Sequence, residues 1–542
     1  MVVTCGGVGA APRDELSIGI AQRLPTLHPL RTSAAIVGFL WGFVNRSVTG
    51  FDDAWSSTCF LCTEVPTREN GRIKVIALAD GHPGMEVTYS IRPEMVWADG
   101  VPVSAHDAVF TAVVARAVGV GSYASTYYAH VLGIAMVDEH TFTVTFDEVN
   151  YSFAAPVDFE LLSEHIEGPI YRASHGAADY LAHSAYATHP TDPGLWSGPY
   201  RITAFDKDSI VLDRNAYWAG AKTQFKRITL KPIPDGVSPA AWLLGGSIDY
   251  VAGEVAGLSM EQAVDLAGQY PDRFDLISRP TLSFEHLGIN HDNPLLADRR
   301  VRQALLQSID RAEMARQLFH DAAPIADSPV SPRDPGYDPN VRHYTFNPVH
   351  ARQLLAEAGF HPGADGVLVD PANHRFSVEL LIPSGNPERV RMGDWIKQGW
   401  AAVGVETRVT VIGAAEFFGR SMPQGKFDVS LFAWILVPEI PPTTSLSTQA
   451  IPTAQNGFSG LNYEHFSNHD LDETVKLLVA ELEPSRRLPQ WRKFQRLYTE
   501  ELPTLPLFWH DGTFLIPKWL GGVNPTGHRT ATSYWAERWR SE

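Results

Sequence analysis

Residues 96–110, VWADGVPVSAHDAVF, prescribe a strand, a turn and a capped helix in immediate succession. Val96 and Trp97 form an apolar entry, Asp99-Gly100 is a turn pair, and Pro102 stiffens the exit. Ser104 is placed to accept from the orphan amides of the first helical turn. Asp107, three residues on, answers back and favours the positive end of the helix dipole. A chain carrying this transition mixes strands and helices at close range, which argues against a pure bundle or sandwich.

The rest of the first half reads the same way. EVTYSIRP (86–93) alternates Val87, Tyr89 and Ile91, and HTFTVTFDE (140–148) alternates Phe142, Val144 and Phe146. DSIVLDRN (208–215) and FKRITLKPI (225–233) read as a hairpin pair. DRRVRQALLQSIDRAEMARQLF reads as an amphipathic helix, with Val301, Leu305, Ile309 and Met314 inward and an arginine-rich exposed side. The spacing of elements is non-uniform and no repeat is present, so the fold class is α/β.

Several stretches together resemble the family 5 extracellular solute-binding proteins of ABC importers. VWADGVPVSAHDAVF is similar to their W-x-D-G-x-P signature, and GLWSGPYRI (194–202) to their G-T-G-P-Y turn, with Trp196 and Ser197 replacing Gly and Thr. LDRNAYWAG (212–220), LLGGSIDY (243–250), ADRRVRQALLQSIDR (297–311), ARQLLAEAGF (351–360) and KFDVSLFAW (426–434) follow in family order. SIGIAQRLPTLHP (17–29) resembles the first strand and loop. CFLCTEVPT (59–67) and IPTAQNGFSGLNY (451–463) resemble a peptide-annotated subgroup.

The resemblance implies a two-lobed periplasmic-binding-protein fold of the large class, with mixed sheets and a hinge. It implies a discontinuous first domain (15–48, 189–278 and 509–542), an inserted second domain (49–188) and a third (279–508). TDPGLWSGPY is a Pro/Gly-rich junction, and Pro280 is expected to break the chain before a new strand. The implied role is an extracytoplasmic receptor that closes two lobes on a peptide or peptide-like ligand and presents it to permease subunits. It would act as a monomer, without cofactor, in the periplasm or on the outer face of the cytoplasmic membrane. The alternatives are the same receptor fold with a non-peptide ligand (oligosaccharide, opine-like or metal chelate) or a secreted hydrolase.

Composition narrows the classes. In 542 residues, 44 Lys+Arg against 61 Asp+Glu give a net charge of -17. With no basic run, this argues against nucleic acid and against a polybasic membrane clamp. The most apolar stretch, Ala108–Val120, contains Arg116 and falls short of the roughly 18 residues that a membrane span needs. Apolar content of 44% with 19% charged residues is that of an ordinary globular chain. Fourteen tryptophans offer flat faces for a ligand or filling for a core.

Family receptors assemble their pocket from distant segments. Matching positions one at a time, the resemblance implies Thr32 and Ser33 as pocket wall, with a helix cap as the other reading. Tyr123, Tyr127 and Tyr128 stand where the family lays a tyrosine over ligand, with packing as the other reading. Trp434 ends the pocket strand, and Phe508 and Trp509 are pocket wall or hinge packing. Peptide receptors place an aspartate shortly after this tryptophan for the ligand's ammonium group; here that position is Val437, with Glu439 two residues on. A carboxylate-binding arginine of the family falls on Leu431, and Arg420 is the nearest cation.

No H-E-x-x-H, G-x-S-x-G or phosphate-loop motif occurs, and Asp52-Asp53 reads as a surface turn. His286 and His291, on a strand and the loop after it, read as structural histidines rather than metal ligands. Cys59 and Cys62 read as a local disulfide, a reduced pair or a metal or redox site, the first being expected of an exported protein. Cys5, in VVTCGG, resembles the lipidated cysteine of a lipoprotein signal although Thr4 departs from the usual small residue; an incidental N-terminus is the other reading.

Overall fold

The computed structural model describes residues 13–542, apart from 21–23, 25, 32–33, 120–124, 157–158, 235–236, 254–257, 321–322 and 529. Cys5, Thr32, Ser33 and Tyr123 lie outside the described residues. The chain falls into two compact units. One comprises the chain up to Val149 with Phe153–Arg279 and Gly512–Glu542; the other comprises Asn150–Ser152 with Pro280–Asp511.

The first unit holds two larger sheets. In the five-stranded sheet the order is Tyr250–Val251, Glu15–Ile20, Arg227–Pro232, Ile210–Arg214, Tyr200–Phe205. Glu15–Ile20 runs parallel to both neighbours, and the two hairpin strands read from sequence pair antiparallel, with Ile228 opposite Leu212. The four-stranded sheet pairs Pro83–Ser90 with Thr141–Phe146, and Val87, Tyr89, Phe142, Val144 and Phe146 all point into the core.

The turn and the capped helix of the signature stretch form as expected, but the expected strand does not: Val96 makes only an isolated antiparallel bridge to Pro102, because the Asp99-Gly100 turn folds the segment back on itself. Ser104 and Asp107 form a reciprocal capping box on the helix Ala105–Val118. Gly100 takes φ of +92°, a left-handed conformation that costs glycine little, while Asp99 accepts from the Val101 amide at 3.0 Å. Asp107 also accepts from the indole of Trp97 and the Glu164 amide. One carboxylate thus ties Trp97, the helix start and the next segment together.

The second unit is built on a five-stranded sheet in the order Glu406–Ile412, Ser377–Pro383, Val429–Ile435, Phe274–Ile289, Thr504–Pro517. The first three strands are mutually parallel, and Phe274–Ile289 pairs antiparallel with Val429–Ile435. Its main core gathers Leu287, Leu305, Ile382, Trp400, Leu431 and Phe508.

Two local expectations are corrected. Pro280 does not break the chain: one strand runs through it from Phe274 to Ile289, although the compact units divide at that point. The long helical pattern after Asp298 is two helices, Arg299–Gln307 and Arg311–Phe319, with Asp310 capping the second. Its arginines are not all outward. Arg302 and Arg311 are buried, because carbonyls of Leu296, Ala297, Glu501 and Leu502 receive the first, and those of Ala326, Tyr344 and Pro506 the second.

Candidate functional site

In the second unit, strand alternation separates two faces. Val429 and Leu431 point into the main core, whereas Phe432 and Trp434 project to the opposite face. There Trp434 lies 5.1 Å from Phe432 and stacks on Tyr463, with centroids 5.9 Å apart and planes 23° apart. Phe418, 40% exposed, meets Phe432 edge-on at 5.7 Å, and the neighbouring Ile435 is 53% exposed. Trp434 itself is half-buried. This aromatic wall stands at the carboxyl end of the parallel strands Val429–Ile435, Ser377–Pro383 and Glu406–Ile412. Open α/β sheets receive ligands at that end, where the chain leaves the sheet in loops.

The same end carries a buried ion cluster. Glu285 is fully buried; Arg389 reaches it with Nε and Nη2 at 2.7 and 3.0 Å, and His510 Nε2 lies at 2.8 Å. Burial alone would raise this carboxyl, but the His510 and Arg389 hydrogen bonds outweigh it and hold it at about 2. Arg389 is positioned by the helix Pro387–Ala401, whose first amides are capped by Asn386. This arrangement fixes charge and donates no free carboxylate.

Glu439 sits in the loop beyond Trp434 with φ of +59°. Its amide donates to Asp334 at 2.6 Å, its carbonyl accepts from Arg487 at 2.7 Å, and its carboxylate accepts from the Tyr151 hydroxyl at 3.1 Å. The Arg487 guanidinium lies 3.6 Å over the Tyr151 ring. Burial pushes the Asp334 carboxyl up to about 6 against the opposing amides of Glu439 and Gly336.

Other expected residues fall elsewhere. Leu431 is wholly inside the main core, so a cation at that position would be buried among aliphatic side chains. Arg420 is exposed near Glu416, on the segment that carries Phe418. Phe508 packs against Phe319 in the main core, and Trp509 against Phe284 in a second cluster; both side chains are buried there. Tyr127 and Tyr128 are buried in the first unit, where Tyr127 packs at 5.0 Å from both Phe146 and Phe159, because the helix carrying them closes over the four-stranded sheet. Cys59 and Cys62 are bonded to each other, with Cα atoms 5.0 Å apart. His291 Nε2 meets the Pro503 carbonyl at 3.0 Å, and no cluster able to hold a metal occurs among the described residues. Among the described residues, no helix is long and apolar enough to cross a membrane.

Sequence reasoning missed Tyr463, Phe418 and the Glu285–Arg389–His510 cluster. Tyr463 ends a stretch already singled out by resemblance, and Phe418 lies close to Arg420. The ion cluster joins three distant segments and leaves no local signal.

The chain matches the model of the bacterial extracellular solute-binding proteins, family 5 Middle, over residues 80–457. It is 22% identical over 377 residues to heme-binding protein A of Haemophilus influenzae, covering 69% of this chain and 64% of that one, so it spans under two thirds of that relative's length. To the oligopeptide-binding protein OppA of Mycobacterium tuberculosis it is 26% identical over 449 residues, covering 81% of this chain and 72% of the other. The crystal structure of an oligopeptide-binding protein from Thermus thermophilus, complexed with a pentapeptide, has the same fold. The TM-score is 0.71 at 24% identity, over 97% of this chain and 96% of that one. With well over half of its length matched by the family model, this chain belongs to the family 5 bacterial extracellular solute-binding proteins.

Proposed function

We propose that this chain is the substrate-binding receptor of an ABC importer, taking a peptide or peptide-like ligand and handing it to permease subunits without altering it. The observation that carries the reading is the half-exposed Trp434 stacked on Tyr463 at the carboxyl end of the strands, in a chain of a solute-binding family. Relatives named for oligopeptides and heme bind flat or extended guests, and an aromatic face suits both. The receptor works outside the cytoplasm, as a monomer, with Cys5 as a lipid anchor. The division into an inserted second domain at 49–188 belongs to the same reading.

Ligand capture replaces hydration of the guest by aromatic faces and backbone polar groups. Closure of two lobes then stabilises the complex only by contacts improved in the closed state. No bond of the ligand is broken in this scheme.

A specific observation favours a ligand without a free ammonium group. Val437 occupies the family's aspartate position, and Glu439 is pinned through its amide, carbonyl and carboxylate. An unpaired buried ammonium would cost several kcal/mol. Calorimetry with a short peptide and its N-acetylated form tests this: the acetylated form should bind at least as tightly. Strong preference for the free amine, abolished by Glu439→Gln, would assign Glu439 to the ammonium instead.

A further inference from the structure

Behind the aromatic wall, three polar atoms are sealed from solvent without a protein partner: His286 Nε2, Ser430 Oγ and Glu464 Oε1. Their residues are at most 1% exposed. They come from three segments. His286 lies on Phe274–Ile289, Ser430 pairs with Gly288 across the sheet, and Glu464 follows Tyr463 of the wall.

The three atoms converge. His286 Nε2 is 3.9 Å from Glu464 Oε1. A β-carbon at Gly288 would stand 2.5 Å from Ser430 Oγ and 2.6 Å from Glu464 Oε1, so the absence of a side chain there is what admits both oxygens. Each buried polar group left unpaired costs about 1–3 kcal/mol. Three at one place call for a shared partner. A separation of 3.9 Å is too long for a direct hydrogen bond, yet it suits two atoms each about 2.8 Å from a common neighbour.

The chemistry favours a neutral guest. His286 Nδ1 faces the Phe284 carbonyl at 3.3 Å, which places the ring proton there and leaves Nε2 as an acceptor. Burial pushes the Glu464 carboxyl up to about 8 and His286 down to about 4, so both are uncharged near neutrality. A cation would find no compensating charge on these three groups.

We infer that His286, Ser430 and Glu464 bind a single internal water molecule, which donates to His286 Nε2 and accepts from the Glu464 carboxyl. The site ties the Tyr463 segment to the two central strands. It supports the wall from behind, since the His286 ring lies 4.5 Å from Phe432. The inference stands whatever ligand the wall receives.

A high-resolution crystal structure of the full chain tests it. Expected is one density peak within hydrogen-bond distance of all three atoms, without anomalous signal, kept in Glu464→Gln and lost in Gly288→Ala. A direct Glu464–His286 hydrogen bond with nothing between them would overturn the inference. So would a peak at metal-coordination distances with anomalous signal. If Gly288→Ala does not fold, the wild-type map alone decides.

Discussion

Trp434 and Tyr463 lie face to face, 5.9 Å apart and 23° from parallel, although one ends a central strand and the other arrives from a separate loop. The stack leaves Trp434 half-buried, and the exposed Phe418 meets the neighbouring Phe432 on the same face. Trp434→Ala should weaken ligand binding roughly ten- to hundredfold, matching about 1.5–3 kcal/mol for a lost aromatic contact. Trp434→Phe should recover much of it. Calorimetry with the co-purified ligand measures both, and unchanged thermal midpoints would assign the loss to binding.

Glu285 and Glu464 should drive stability in opposite directions with pH. The folded value of Glu285, about 2, lies below its ordinary 4.5, so its contribution is complete above 4.5 and disappears as pH falls towards 2. Glu464 is raised to about 8 from the same ordinary value, so its protonated form favours folding below 4.5 and that advantage fades as pH climbs to 8. Glu464→Gln should therefore flatten the decline in thermal midpoint between pH 5 and 8. Glu285→Gln should remove the acid-side dependence while lowering stability at neutral pH, because Arg389 and His510 lose their carboxylate.

Arg487 holds the loop that follows Trp434. Its guanidinium covers Tyr151 and donates to the carbonyls of Glu439, Glu481 and Leu478. Arg487→Ala leaves those carbonyls without their charged donor, so denaturant unfolding should show a loss of about 1.5–3 kcal/mol, the range for hydrogen bonds to a charged group. Tyr151→Phe, which removes only the hydroxyl bond to Glu439, should cost about 1 kcal/mol.

Cys59 and Cys62 close a very short loop, so the entropy removed from the unfolded chain is small. Replacing both by serine should cost about 2 kcal/mol on the chain-entropy relation. Denaturant titration under non-reducing conditions measures it. Alkylation followed by mass spectrometry checks the bond directly.

Local chemistry was readable from the sequence wherever partners lie close along the chain. The Ser104–Asp107 box, the Asp99-Gly100 turn and the alternating Val87/Tyr89 and Phe142/Val144 faces need only a few consecutive residues. Trp434 was legible as a likeness to one strand of known receptors. The burial of Tyr127, Phe508 and Trp509 was not, since an aromatic ring looks the same in sequence whether it packs inward or faces outward. Arg302 and Arg311 misled because their partners are backbone carbonyls, which no side-chain pattern announces. Glu285, Arg389 and His510 meet only after three segments fold together.

The receptor reading is tested most directly by extracting the compound that co-purifies with the chain, identifying it by mass spectrometry and titrating it back calorimetrically. One saturable binding event is expected, weakened in Trp434→Ala, with the compound recovered chemically unchanged. Conversion of that compound by the purified protein, or absence of any saturable binding, would contradict the account.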